Sequence, residues 1–147
     1  MENLPLNVPA QQSGNSGEDE LKNQLKNAVE GLSFTSETDA NVLPFFGGQA
    51  QQVTREEILS QTKSAANSPV EEKDFTGFFA PLTEVQDWFG DEEKATAQKF
   101  AWLKELLERN LRDLKVFKIG KIQLDIYVVG LDAENNLLGI TTKAVET

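Results

Sequence analysis

The last part of the chain, from Val116 to Thr147, contains the pattern that most restricts the fold. Apolar residues take every second place in one run, at Ile122, Leu124, Ile126 and Val128. After the polar segment Asp132–Asn136 a second alternation follows, at Leu138, Ile140, Thr142 and Ala144. A period of two indicates a β-strand, and two such runs joined by a short polar turn predict an antiparallel hairpin. Because the second strand runs almost to Thr147, we expect this residue to be held in place, although chain termini usually fray.

The composition argues against an enzyme. The chain has 147 residues, which is one domain by length with room for a sizeable core. It has no cysteine and no histidine, so disulfides, thiolate nucleophiles and imidazole chemistry are excluded. Catalysis would need carboxylates, lysines or the tyrosine, and no such constellation stands out. We therefore expect no catalytic residues and no cofactor.

The charge points to a particular kind of partner. A formal net charge of −10 disfavours nucleic acid and anionic membranes, and it favours solubility or a basic protein surface. No apolar run is long enough for a transmembrane helix. The first residues lack the basic and apolar parts of a secretory signal. A cytoplasmic location is the expectation.

The chain divides into a tail and one domain. Residues 1–16 are rich in Pro, Gln, Asn, Ser and Gly and have little apolar surface to bury, so they predict a disordered tail. Residues 17–147 form the domain. It begins with an amphipathic helix from about Glu18, which Gly31 is well placed to end.

The remaining elements follow in order. Val42–Phe46 is a short apolar run that Pro44 restricts to an edge strand. Thr54 and Glu57 predict a capping box at the start of a short helix. Further predictions are a short strand over Val70–Phe75, a long helix from Asp91 to Leu111, and a strand over Val116–Ile119. Helices sufficient to cover both faces of a mixed, mostly antiparallel sheet predict an α+β fold, an α/β/α sandwich.

The segment from Glu84 to Glu93 is acidic and contains two adjacent aromatic residues, Trp88 and Phe89. Asp87 or Asp91 as a helix cap, with acids in the first turn, is the simplest explanation of the charges. It explains Trp88 less well, because a tryptophan flanked by acids is also typical of a binding hot spot. The spacing of these acids lacks the alternating ligands and the central glycine of an EF-hand.

Two other places carry groups of interest. Ser36 and Glu37 lie in a polar loop after the first helix, which alone is a weak signal. The ending Ala144–Thr147 offers a hydroxyl, a glutamate and a carboxylate, which are hard oxygen ligands suited to Mg²⁺ or to a cationic cleft.

Together these segments resemble the nuclease A inhibitor family, bacterial cytoplasmic proteins that block a sugar-nonspecific DNA/RNA endonuclease. The resemblance covers about Leu21 to Thr147. It rests on four segments of this sequence: Gly31-Leu-x-Phe-x-Ser-Glu37, Gln86-Asp87-Trp88 with Asp91-Glu92-Glu93, Leu124-Asp125-x-Tyr127-Val128, and Leu138-x-Gly-Ile-x-Thr-Lys-x-Val-Glu-Thr147.

The resemblance implies an α/β/α sandwich similar to that of pathogenesis-related PR-1 proteins. It also implies a mechanism, in which the inhibitor enters a basic, Mg²⁺-containing cleft and its last threonine reaches the nuclease's metal. By matching position the contact residues are Glu37, Asp87, Trp88 and Thr147, with Thr147 directed at the partner's Mg²⁺ and no metal site in the inhibitor itself. The implied partner is one endonuclease molecule per inhibitor, and the free inhibitor is expected to be a monomer.

Two other functions stay open at this point. The same sandwich could be a binding module for a different basic protein or a small ligand. An enzyme that uses carboxylates alone is the least favoured, because it would need paired carboxylates in a cleft, one of them with a raised pKa.

Overall fold

The computed structural model describes residues 16–147, and the predicted disordered tail lies almost entirely outside them. The helices are α1 (Ser16–Val29), α2 (Arg55–Gln61), α3 (Phe75–Thr83) and α4 (Asp91–Asn110). The strands are β1 (Ser33–Thr35), β2 (Asp39–Asn41), β3 (Leu43–Gln49), β4 (Val70–Lys73), β5 (Arg112–Gly120), β6 (Gln123–Leu131) and β7 (Asn136–Val145). Four helices and seven strands lie within the described residues, which agrees with the predicted α+β class.

The main sheet has five strands in the order β3-β7-β6-β5-β4, and every neighbouring pair is antiparallel. The predicted hairpin is its centre, with Leu124 opposite Ala144 and Val128 opposite Ile140. β3 pairs only with β7, so the edge position predicted from Pro44 is confirmed. A separate two-stranded sheet joins β1 to β2.

The two faces of the sheet carry different cores, because neighbouring residues of a strand point to opposite faces. Val128 faces α1, α3 and α4, where Leu25, Phe79 and Leu103 are fully buried. Val129 faces the other side, where α2 packs through a cluster of seven buried residues: Ala50, Val53, Ile58, Phe117, Val129, Leu131 and Leu137. Helices on both faces of one sheet make three layers, and the predicted α/β/α sandwich is confirmed.

Two segments fold differently from the prediction. The expected strand over Val70–Phe75 ends at Lys73, and Phe75 begins α3, a helix that the sequence pattern did not indicate. The Asp74 carboxylate accepts a hydrogen bond from Gly77 N at 2.8 Å and caps this helix. The polar loop after α1 contains a short hairpin, in which Phe34 lies opposite Ala40. Phe34 also stacks on Phe78 of α3 at a centroid distance of 5.7 Å, so the hairpin is anchored by packing.

The predicted helix boundaries agree with the structure, but the predicted caps do so only in part. Gly31 has φ of +72°, the left-handed conformation that commonly follows a helix, two residues after α1 ends. Thr54 accepts from Glu57 N at 3.1 Å, whereas the Glu57 side chain accepts from Gln61 instead of completing the capping box. The cap of α4 is Gly90, not Asp87 or Asp91.

One residue of the alternating pattern departs from it. Ile122 lies in the turn between β5 and β6 and is 56% exposed, although the pattern placed it on the buried face. The three apolar residues that follow it in the alternation, Leu124, Ile126 and Val128, are buried as predicted.

Candidate partner-binding site

The end of β7 is fastened to the loop between β1 and β2. The Ser36 hydroxyl accepts a hydrogen bond from Val145 N at 3.0 Å, and Glu37 N donates to the Val145 carbonyl at 3.3 Å. Ser36 itself is fixed within a tight turn, because its backbone N donates to the Thr38 carbonyl at 2.8 Å. These bonds join segments that are 109 residues apart in sequence, between Ser36 and Val145. The loop therefore holds the last residue of β7 in addition to its pairing with β6.

Glu37 and Thr147 are in direct contact. Thr147 N donates to Glu37 Oε2 at 2.7 Å, and the Thr147 hydroxyl lies 3.0 Å from Oε1 and 2.9 Å from Oε2. Both residues are exposed. Because the hydroxyl donates its hydrogen bond to the carboxylate, the lone pairs of its oxygen stay available to a metal ion or to a donor. The contact fixes the orientation of Thr147, as the second shell of a metal site orients a ligand.

Glu146, which precedes Thr147, forms an ion pair with a residue that the sequence did not indicate. Lys118 Nζ on β5 lies 2.8 Å from Glu146 Oε2, and Glu146 N donates to the Ile122 carbonyl at 2.9 Å. The Lys118 side chain is only 14% exposed. No local pattern could have indicated this pair, because Glu146 lies 28 positions after Lys118 and follows β7, a strand that is not a neighbour of β5 in the sheet.

Trp88 projects from the segment between α3 and α4. Its side chain is 73% exposed, and its ring meets Phe89 edge-on at a centroid distance of 4.7 Å. A turn in which Phe89 N donates to the Gln86 carbonyl at 3.0 Å holds this pair. Asp87 is exposed beside them. An exposed tryptophan supported by a second ring is the geometry of an anchor that binding can desolvate at low entropic cost.

A groove separates Trp88 from the hairpin that carries Glu37. Thr35, the last residue of β1, lines one side of this groove, and Trp88 and Phe89 line the other. Thr35 precedes Ser36 and Glu37 directly. Thus the structure brings Glu37 and Thr147 into contact and places Trp88 across a groove from the same hairpin. Among residues 16–147 no hydrogen bond or ion pair joins Asp87 to either of them.

Two pKa shifts occur on the α2 face of the sheet, away from these contacts. Burial raises the pKa of Tyr127 above its usual 10.0, and the negative charge of Asp125 raises it further. A 2.6 Å hydrogen bond to Asp125 raises the pKa of Lys143. Neither group contacts Glu37, Trp88 or Thr147, so the candidate site does not depend on them.

The described part of the chain has neither a metal-binding cluster nor a membrane-spanning helix. In residues 16–147 no cluster of three or more acidic, cysteine or histidine side chains could hold a metal ion. None of the helices there has the length and the apolar character that crossing a bilayer requires.

Comparison with known proteins identifies the family. The family model described as nuclease A inhibitor-like protein matches residues 19–147, nearly the whole chain. The chain therefore belongs to the nuclease A inhibitor-like family. No functionally curated protein matches it in sequence.

Proposed function

From this family membership we propose that the protein inhibits a sugar-nonspecific, Mg²⁺-dependent endonuclease by occupying its active-site cleft. Glu37, Asp87 and Trp88 contact the nuclease, and Thr147 reaches its catalytic metal. The inhibitor acts without catalysis of its own, as a monomer that binds one nuclease molecule in the cytoplasm of a bacterium. The observation that carries the proposal is the hydrogen bonding of Thr147 to the Glu37 carboxylate.

The charge of the chain favours such a partner. A nuclease cleft is shaped for the polyanionic backbone of nucleic acid, so its potential attracts a protein with net charge −10. Complementary charge accelerates association and orients the encounter, although it adds less to the final affinity. Exposed carboxylates at Glu37 and Asp87 would stand where phosphates stand in the substrate.

Thr147 supplies the inhibitory step. Thr147 is exposed and its hydroxyl donates to Glu37, so the lone pairs of the oxygen are available to replace a water on Mg²⁺. A metal that has exchanged that water for a protein oxygen loses a position it needs in hydrolysis. Preorganisation by Glu37 lowers the entropy cost of this step.

Trp88 supplies the apolar anchor. It is the most exposed of the large hydrophobic residues in the described part of the chain, and it lies across the groove from the hairpin that carries Glu37. Desolvating such a ring at an interface commonly contributes a large share of the affinity.

The test is a competition experiment. A fluorescent single-stranded oligonucleotide is bound to a sugar-nonspecific nuclease in Ca²⁺, which permits binding without rapid cleavage, and is displaced with the wild-type protein. Trp88→Ala is expected to weaken displacement by about 30-fold or more, as the loss of a hot-spot residue does. Trp102→Ala is the matched control, because Trp102 is a second exposed tryptophan, on α4, and lies outside the groove.

The outcomes separate the classes of function. Displacement that weakens with Trp88→Ala and Glu37→Gln but not with Trp102→Ala supports the proposed contacts. Displacement unaffected by both changes would contradict these contacts and retain only the general inhibitory role. Absence of displacement by the wild-type protein would favour a module for a different basic protein or a small ligand.

A further inference from the structure

The groove beside Trp88 has an apolar floor. Phe100 and Ala97 of α4 form its base and are both 3% exposed, and the half-buried Leu82 and Phe89 form its walls. The cavity is an open cleft between α4, the end of α3 and β1, and not an internal void. Such a surface accepts the aliphatic stem of a long side chain.

The rim of the same groove is acidic. Glu84, Glu92 and Glu93 all line it, and no lysine or arginine of the described chain does. Glu93 is engaged in capping, since its Oε1 accepts from Gly90 N at 3.0 Å. Glu84 Oε1 accepts from Gln86 Nε2 at 2.9 Å, which leaves its other oxygen open. The Glu92 carboxylate has no hydrogen-bond or ion-pair partner within residues 16–147.

Trp88 completes a site with three kinds of contact. Its exposed ring lines the groove together with the glutamates of the rim and the buried residues of the floor. A guanidinium group stacks on an aromatic face, pairs with a carboxylate through two hydrogen bonds, and carries an apolar stem behind it. Lysine matches only the charge and the stem, since its ammonium is a compact point charge.

We propose that this groove receives an arginine side chain from a basic protein partner, stacked on Trp88 and paired with Glu92 and Glu84. Charge complementarity selects this occupant, because an acidic rim around apolar walls repels an anion and leaves a purely apolar side chain without a partner for Glu92. The groove lies between Trp88 and Thr35, so the arginine would sit near the middle of the surface used in the proposed function.

The inference rests on the proposed function for the identity of the partner, but binding of arginine to the groove can be tested without a nuclease. The probe is the peptide tetra-arginine, titrated into ¹⁵N-labelled protein and followed by NMR. The indole N–H signals of Trp88 and Trp102 report on two exposed tryptophans of one sample. We expect the Trp88 signal and the amides of Glu92 and Thr96 to shift with saturation, while the Trp102 signal stays in place.

Two double variants distinguish a site from general attraction to an acidic protein. Glu84→Gln with Glu92→Gln keeps the shape of the groove and removes its charge, and the affinity for tetra-arginine is expected to fall about 10-fold or more. Glu56→Gln with Glu105→Gln removes the same charge from exposed places outside the groove and is expected to change the affinity less than about twofold. Tetra-lysine should bind more weakly than tetra-arginine and shift the Trp88 indole less.

The same variants are then compared in nuclease inhibition. Loss of charge in the groove is expected to speed dissociation of the complex about 10-fold, and loss of charge elsewhere is not. Equal peptide shifts at Trp88 and Trp102, or equal effects of the two double variants, would overturn the arginine site. A wild-type protein that binds tetra-arginine at the groove but inhibits no nuclease would contradict the proposed function and leave the site standing.

Discussion

Ser36 offers the sharpest test of how the candidate site is assembled. Its hydroxyl accepts from Val145 N at 3.0 Å and donates to the Thr38 carbonyl at 3.2 Å. It also accepts a longer bond from Thr38 N, at 3.4 Å. Ser36→Ala removes all three bonds and leaves the half-buried Val145 N–H without its acceptor. The remaining bond from Glu37 N to the Val145 carbonyl is longer, at 3.3 Å, and is the weaker one.

The size of the effect follows from the burial of the lost bond. An unsatisfied buried donor costs about 1–3 kcal/mol, and because this one is only half-buried we take the lower end, about 1 kcal/mol. That is a factor of about 5 in the equilibrium between the attached and the detached end of β7. The sheet interior does not depend on this bond, so the melting temperature of the domain is expected to change little.

Native-state hydrogen exchange measures this directly. The Glu37 amide, which donates to the Val145 carbonyl and so reports on the attachment, is expected to lose about 5-fold of its protection in Ser36→Ala, while the amide of Val128 in the middle of the sheet keeps its protection. If the detached state does not inhibit, the inhibition constant scales inversely with the attached fraction, so it should change little while the attached state remains the major one in the variant. Thr38→Ala is the control, because Thr38 lies in the same loop and its hydroxyl makes no hydrogen bond within residues 16–147.

Unchanged protection of the Glu37 amide in Ser36→Ala would refute the reasoning, because the hydroxyl would then not hold the strand. Equal acceleration in Thr38→Ala would refute it as well. Faster exchange with full inhibition would show that the attachment exists and that the attached state is still the major one in the variant.

Three further outcomes are expected. Gly139→Ala should destabilise the fold by about 3 kcal/mol in chemical denaturation, because a Cβ there would lie 1.9 Å from the Val128 carbonyl oxygen of the neighbouring strand; an unchanged midpoint would contradict the packing. Tyr127 is the only tyrosine, so an ultraviolet titration should show its phenol ionising with a pKa above 10.0. Because the pKa of Tyr127 is higher in the folded than in the unfolded protein, its contribution to stability is complete below the unfolded-state pKa and is lost as the pH rises above about 10. Lys118→Met should weaken nuclease inhibition about twofold at low salt by releasing Glu146, with no difference at high salt; a salt-independent loss would indicate a packing defect instead.

The central hairpin and the long helix could be predicted from the sequence because local periodicity determines them. The alternation around Ile126 and Ile140 matches β6 and β7, and the predicted long helix matches α4 to within one residue at its end. Pro44 predicted the edge position of β3 because proline lacks the N–H group that a central strand would need.

Helix α3 could not be predicted in this way. Its sequence combines three phenylalanines with Pro81 inside the helix, and these residues have poor intrinsic helix propensity. Tertiary packing decides the outcome: Phe79 is fully buried, and Phe78 stacks on Phe34 of the distant hairpin. The only local signal was Asp74, which precedes the helix as its cap.

In the candidate site, too, individual residues could be predicted from the sequence, whereas the contacts between distant segments could not. Glu37, Trp88 and Thr147 were named from the sequence, Trp88 because of its acidic neighbours and all three through the family resemblance. The contact of Glu37 with Thr147 spans 110 positions and depends on the register of β7, which no short pattern specifies. Lys118 and the groove beside Trp88 also become visible only when β5, α3 and α4 are placed together.

The most direct test of the central claim is a plasmid-degradation assay with a sugar-nonspecific, Mg²⁺-dependent nuclease. It is titrated with the wild-type protein and with a variant that lacks Thr147. We expect wild-type inhibition to be complete near one inhibitor per nuclease, and the variant to need a clear excess because no oxygen reaches the metal. Equal inhibition by both would contradict the role of Thr147, and no inhibition by either would contradict the proposed function as a whole.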